Sequence, residues 1–188
     1  MATFRIPTRE TVSPASQRAF DQLERGIGRV PNLYAALALS PTALPDYLAL
    51  QNRTSTLSAK EREVVNLAVS EVNGCAYCLA AHTAIAGLNG FTDEQILALR
   101  GGRAPFDARL DALARFAREV TLHRGKPAPD VTDELLAAGF TQAQLVDAIV
   151  LIGDKTVTNF LHGVTGVAVD FPAAPALPTR EPAEALAA

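Results

Sequence analysis

The chain has 188 residues, 48% of them hydrophobic and 20% charged, with a net charge of −3 at pH 7. That length and balance fit one globular domain able to bury a core without disulfide staples. The slight acidic excess, with no basic cluster, argues against a nucleic-acid partner, and no apolar run approaches the ~18 residues of a membrane span.

Residues 1 to 12 read as extended, and they hold no apolar block of signal-peptide length, so the expected setting is the reducing cytoplasm. Ser13-Pro14 then supplies an N-cap and a first-turn proline. They predict a helix to about Gly26 or Gly28 that buries Phe20, Leu23 and Ile27. Pro31 opens a short apolar helix with Leu33, Tyr34 and Leu37, and Ser40-Pro41 repeats that grammar for Leu44 to Gln51. Ser58-Ala-Lys-Glu61 is a capping box, and the helix behind it runs to about Val72. Asn73-Gly74 breaks it, and the next helix, carrying Cys75, Cys78 and His82, reaches about Leu88. So short a joint predicts an antiparallel helical hairpin.

The stretches Gly90-Phe-Thr-Asp-Glu-Gln-Ile96 and Gly139-Phe-Thr-Gln-Ala-Gln-Leu145 echo one another as helix starts. Between them, Phe106 to His123 is amphipathic, with Leu110, Leu113, Ala114, Ala117 and Val120 on one side. Val131 to Ala138 is a short helix, and Thr141 to about Val169 a long apolar one. No stretch alternates as a strand would. The expectation is an all-α, single-domain helical bundle over residues 1–170. A Pro/Ala-rich tail, 171–188, follows and is expected to be mobile or draped over a neighbour.

Cys75 and Cys78 are the only cysteines. On a helix they share an arc of roughly 60° with His82, which would expose two thiols and an imidazole together on one strip. In a reducing compartment such a pair points to redox or metal chemistry. Free N–H groups at a helix start favour a thiolate, lowering a pKa from about 8.5, and a second sulfur one turn away can resolve an oxidised first one. His82, four residues after Cys78, is placed to act as its base, and a carboxylate behind the ring would orient it. Inert buried thiols and a zinc site compete with this reading, but no second Cys/His cluster supplies the remaining ligands. Helical periodicity selects Glu71 as that carboxylate, on the rim of the apolar stripe. Glu63 falls on the polar side with Asn66 and Ser70, which is either solvent-facing or the wall of a site.

The run from Glu63 to His82, a glutamate, eleven residues and then C-x-x-C-x-x-x-H, closely resembles the AhpD-like alkylhydroperoxidase branch of the carboxymuconolactone decarboxylase family. The likeness is strong over residues 58 to 90 and looser over 105 to 166, around Leu113, Phe116, Gly139 and Asn159. It implies an all-α homo-oligomer, a trimer or hexamer, and a cofactor-free, metal-free thiol peroxidase that reduces hydroperoxides and is reset by an external dithiol or lipoyl-type reductant. By the same resemblance Cys78 is the peroxidatic sulfur, Cys75 the resolving one, His82 the base and Glu63, rather than Glu71, the proton-relay carboxylate. Some members carry a histidine where this chain has Tyr77. The family's lactone-decarboxylase branch lacks the paired cysteines.

Two other function classes fit the same residues: a thiol–disulfide carrier or redox sensor without peroxide turnover, and a helical binding module with inert thiols. Among the other polar residues, His123 beside Arg124 reads as surface capping, and His162 and Asn159 as core hydrogen bonding or a subunit contact. Asp154 and Lys155 read as a buried pair or a plain helix face. Tyr77 and Tyr34 read as packing residues with a polar tip, either of which would line a pocket, with Glu71 a further pocket candidate.

Overall fold

The structure, a computed structural model, describes residues 4–177. Nine α-helices make up the described residues, with no strand among them. They are α1 (Pro14–Ile27), α2 (Asn32–Leu37), α3 (Ala43–Gln51), α4 (Ala59–Val72), α5 (Ala76–Leu88), α6 (Asp93–Arg100), α7 (Ala108–Leu122), α8 (Pro129–Ala137) and α9 (Gln142–Thr165). A single 3-10 turn, Arg9–Thr11, precedes α1.

The helix starts follow from local chemistry. Ser13 caps α1 through the Ser16 N–H, and Ser58, Thr92 and Thr141 open α4, α6 and α9 with full capping boxes. The two echoing stretches therefore use one device, a Thr cap answered by Gln95 or Gln144 at the third helical position. Ser40 caps nothing: α3 begins only at Ala43 behind Thr42, which makes no side-chain cap. The long helix stops at Thr165 rather than near Val169, because Gly166 takes the left-handed conformation and returns its N–H to the His162 carbonyl.

Helix α4 is the hub, packing against α5, α6, α7 and α9. From Glu61 to Ser70 every residue but Arg62 is buried, and Val64, Val65, Leu67, Ala68 and Val69 are fully so. The main core spreads from these residues to Ile96, Leu99, Leu113, Phe116, Leu135 and Ile152. A second cluster joins α1, α2 and α3 through Phe20, Leu37, Leu44 and Tyr47. The third and smallest cluster lies between them and holds both cysteines, with Leu33, Ala36, Tyr77 and Val167. The cysteine pair thus sits at the seam between the N-terminal helices and the main bundle.

One expectation fails at this seam. Phe20 is buried, but Leu23 is only half-buried and Ile27 is exposed, because α1 turns this edge toward a cavity rather than toward the core. The start of the tail folds back on its own chain. Phe171 packs edge-on against Tyr77 at 5.6 Å, and the Pro175 carbonyl accepts a hydrogen bond from Arg100 at 2.5 Å. The rest of the expected tail, 178–188, lies outside the described residues.

Candidate active site

The joint between α4 and α5 creates the site. Gly74 has φ +63°, which a side chain would strain, and the turn it allows sends the Cys75 N–H back to the Ser70 carbonyl. Cys75 is therefore not inside the helix, as expected, but is its N-cap. Its backbone is extended and its sulfur accepts the Cys78 N–H at 3.2 Å. Serine, threonine and aspartate cap helices with oxygen; here a thiol does so. The same turn brings the Cys75 and Cys78 sulfurs to 2.7 Å, both as free thiols.

The sulfurs are not displayed on the surface as the helical arc suggested. Cys75 is 2% exposed and Cys78 3%, and His82 is buried one turn further along α5. Cys78 and His82 are reached through a cavity of about 450 Å³. Tyr34 and Tyr47 from α2 and α3, Ile85 from α5, Lys155 and Thr158 from α9, and Phe171 contribute to its walls.

Behind the imidazole stands Glu63, whose Oε2 lies 2.8 Å from His82 Nδ1. Its other oxygen accepts a hydrogen bond from Asn66 Nδ2 at 2.9 Å. Burial works to raise the Glu63 carboxyl, but the His82 ring, the Asn66 amide and the Lys155 charge outweigh it and hold the carboxyl below its usual range. An ionised carboxylate only accepts hydrogen bonds, so Nδ1–H of His82 donates to it and Nε2 is left with its lone pair. Glu71, the choice of periodicity, is placed elsewhere: it pairs with Arg100 Nε at 2.7 Å and does not line the cavity.

The polar side of α4 is thus the wall of the site. Glu63, Asn66 and Ser70 make a buried polar seam, and α9 closes it: Asn159 Nδ2 donates to Ser70 Oγ, and Asn73 donates to Asn159 Oδ1. Asn159 belongs to this network and stands against the thiols, favouring charge on both.

The two thiols share their titration. The hydrogen bond from Cys75 lowers Cys78 to about 6, against the burial that would raise it, with Lys155, Asn159 and His82 adding to the effect. Cys75 is driven the other way, first by that same hydrogen bond and then by burial and the neighbouring thiolate. The pair gives up one proton readily and holds the second. Cys75 as N-cap also receives the Cys78 N–H, which favours an anion there; the cationic and amide groups nearer Cys78 tip the charge to that sulfur.

Tyr77, between the cysteines, lines the cavity and is tied down on its other side. Its hydroxyl donates to Asp170 Oδ1 at 2.5 Å and accepts the Leu33 N–H at 3.3 Å, while Asp170 Oδ2 accepts the Asn32 N–H. Its ring lies 5.6 Å from that of His162, which takes no part in the Glu63 pair. His123 bonds Glu119 on the surface. Asp154 and Lys155 are both buried but are not an ion pair, because Asp154 faces Tyr47 whereas Lys155 lines the cavity. Periodicity on α9 carried no signal for Lys155, since charge on a helix usually marks its wet face. Among the described residues no group of three His, Cys, Asp or Glu side chains is arranged to hold a metal ion, and no helix is long and apolar enough to cross a membrane.

Comparison with known proteins agrees with this architecture. The model of the carboxymuconolactone decarboxylase family matches residues 41–119, which run from the start of α3 into α7 and include the whole cysteine hairpin. An uncharacterized peroxidase-related protein of Silicibacter sp. TM1040 superposes with a TM-score of 0.77 at 26% identity, over 87% of this chain and 89% of that one. An alkylhydroperoxidase AhpD core protein of Ralstonia eutropha JMP134, likewise peroxidase-related, has the same fold, with a TM-score of 0.80 at 21% identity over 89% and 91% of the two chains. The uncharacterized protein YdfG of Bacillus subtilis (strain 168) is 26% identical over 102 residues, 53% of this chain and 69% of its own. With its matched hairpin inside that helical architecture, this chain is similar over residues 41–119 to the carboxymuconolactone decarboxylase family and shares the fold of these peroxidase-related proteins.

Proposed function

We propose that the protein is a thiol-dependent peroxidase in which Cys78 and Cys75 cycle between dithiol and disulfide. The observation that carries this is the contact of the two sulfurs at 2.7 Å at the base of a cavity, beside an imidazole held by a buried carboxylate at 2.8 Å. His82 accepts the Cys78 proton, and the thiolate attacks the terminal oxygen of a hydroperoxide. The O–O bond breaks, the alkoxide leaves as alcohol with the proton from His82, and Cys78 becomes a sulfenic acid. Cys75 then attacks the Cys78 sulfur, its proton passing through His82 to the departing hydroxide, which leaves as water. An external dithiol, of lipoyl type, returns two electrons and two protons.

Glu63 fixes the ring with Nε2 free and stabilises the imidazolium between transfers. Burial of both sulfurs limits over-oxidation, because only what enters the cavity meets Cys78. Consumption of cumene hydroperoxide in the presence of dihydrolipoamide tests the reading. Turnover that stops in Cys78→Ser supports it, and turnover that persists there overturns it.

The reading includes a homo-oligomer. Val146, Ile149, Val157, Phe160 and Val164 form an apolar stripe along the outer side of α9, with Phe160 60% and Val164 75% exposed. Gly153 interrupts the stripe with open space where a side chain would be, which suits the close approach of a second copy of the same helix.

A further inference from the structure

Lys155 has no assigned role in the proton relay, yet its side chain is inside the protein and 3% exposed. No ion pair among the described residues includes it. Glu63 feels its charge, but both Glu63 oxygens are already given to His82 and Asn66. A buried ammonium without a counter-charge in contact is held at a cost that a bound anion offsets. Lys155 lines the same cavity as Cys78 and His82.

Apart from the Cys78 thiolate, the charged or basic side chains around the cavity are all of the cationic kind. Arg29, His82 and Lys155 line it, and no carboxylate does among the described residues, although the chain as a whole carries −3. Two of the three are already engaged. Arg29 stands over the Phe171 ring at 4.3 Å with Asp170 at 3.7 Å, and His82 is bonded to Glu63. The phenols of Tyr34 and Tyr47 stay protonated, raised chiefly by burial, so neither supplies a negative partner. Lys155 is therefore the one unpaired positive charge facing this space among the described residues. The rest of the lining is largely apolar or aromatic, with Leu48, Ile85 and the tilted Tyr34–Tyr47 pair, whose ring centroids are 6.0 Å apart.

We infer that the cavity binds an organic carboxylate, its anionic end on the Lys155 ammonium and its apolar or aromatic body against Tyr34, Tyr47 and Leu48. The inference rests on the peroxidase reading only in making the turned-over ligand a hydroperoxy acid; the binding itself does not require that reading. A rival role for Lys155 is to serve as counter-charge for the Cys78 thiolate, and it is removed by working without thiols.

The test is calorimetric titration of the full chain carrying Cys75→Ser and Cys78→Ser with 3-phenylpropanoate and with its uncharged analogue 3-phenylpropanol. The acid is expected to bind at least about tenfold tighter than the alcohol, as a charge-assisted contact requires. In Lys155→Met the preference disappears while the alcohol binds as before. Equal affinities in the lysine-containing protein, no binding of either compound at millimolar concentration, or an acid preference that survives Lys155→Met would each overturn the inference. The acid–alcohol comparison decides without a folded methionine variant. Failure of the peroxidase reading is seen separately, as unsubstituted protein that leaves cumene hydroperoxide unconsumed, and does not touch these affinities.

Discussion

Replacing Glu63 by glutamine keeps the shape of the side chain and removes its charge, and the groups around it dictate the consequence. In the parent, one oxygen accepts from Asn66 and the other from His82 Nδ1–H. An amide offers one acceptor and one donor. If its oxygen stays on Asn66, its NH₂ faces Nδ1 and forces the proton to Nε2, so the ring presents a donor where the relay needs a base. If the amide is turned over, two NH₂ groups oppose one another in a buried place. Either way the base is lost, and a positioned general base is worth about 10²–10⁴ in rate. Peroxide turnover at neutral pH, followed by stopped flow, is expected to fall by at least about 10². Stability should fall by about 1–3 kcal/mol with the loss of a buried charge-assisted hydrogen bond, read by urea unfolding. The sign of the pH effect is fixed as well. Glu63 is held below its ordinary value of 4.5 in the folded chain, so its contribution is fully present above that pH and is lost as pH falls through the folded value. The glutamine variant lacks that acid-side loss. Turnover within about threefold of the parent, in a folded variant, would refute the proton relay.

Iodoacetamide alkylation against pH should show one thiol, Cys78, with a midpoint of about 6, and a second step at Cys75 well above the ordinary thiol range. Two independent midpoints near about 8.5 would remove the shared-proton account. Phe116→Ala empties a core position only 2% exposed in the parent and should cost about 3–5 kcal/mol by chemical denaturation; a cost under about 1 kcal/mol would mean that the core around α7 is not packed as described. Phe160→Glu should lower the solution mass measured by light scattering while leaving helical content unchanged, and an unaltered mass would show that the α9 stripe is not the subunit contact.

Much of the fold was legible in one dimension because helix starts and stops are local events. Ser13, Ser58, Thr92 and Thr141 cap the helices they were expected to cap, and Gly28 ends α1, through groups a few residues away in the chain. The Cys75–Cys78 contact is local too, since a turn after Gly74 brings the sulfurs together with no help from distant residues. Three matters depended on packing from elsewhere. The choice between Glu63 and Glu71 could not come from α4 alone, because a helix surrounded by α5, α6, α7 and α9 has no wet side for periodicity to find. Its polar residues face the site, while Glu71 leaves for Arg100 on α6. Burial of the thiols came from Leu33, Ala36 and Val167, none of them near the cysteines in sequence. Lys155 reads equally as half of a buried pair or as part of a plain helix face until α2, α3 and α5 are seen to close a cavity around it. The sequence by itself therefore determined where the helices begin and which atoms meet within one turn, because backbone hydrogen bonds and caps act over short separations. Only the tertiary structure decided which charges lost their water, because desolvation depends on every element packed around a group, and here a glutamate, a lysine and two thiols are withdrawn from water together.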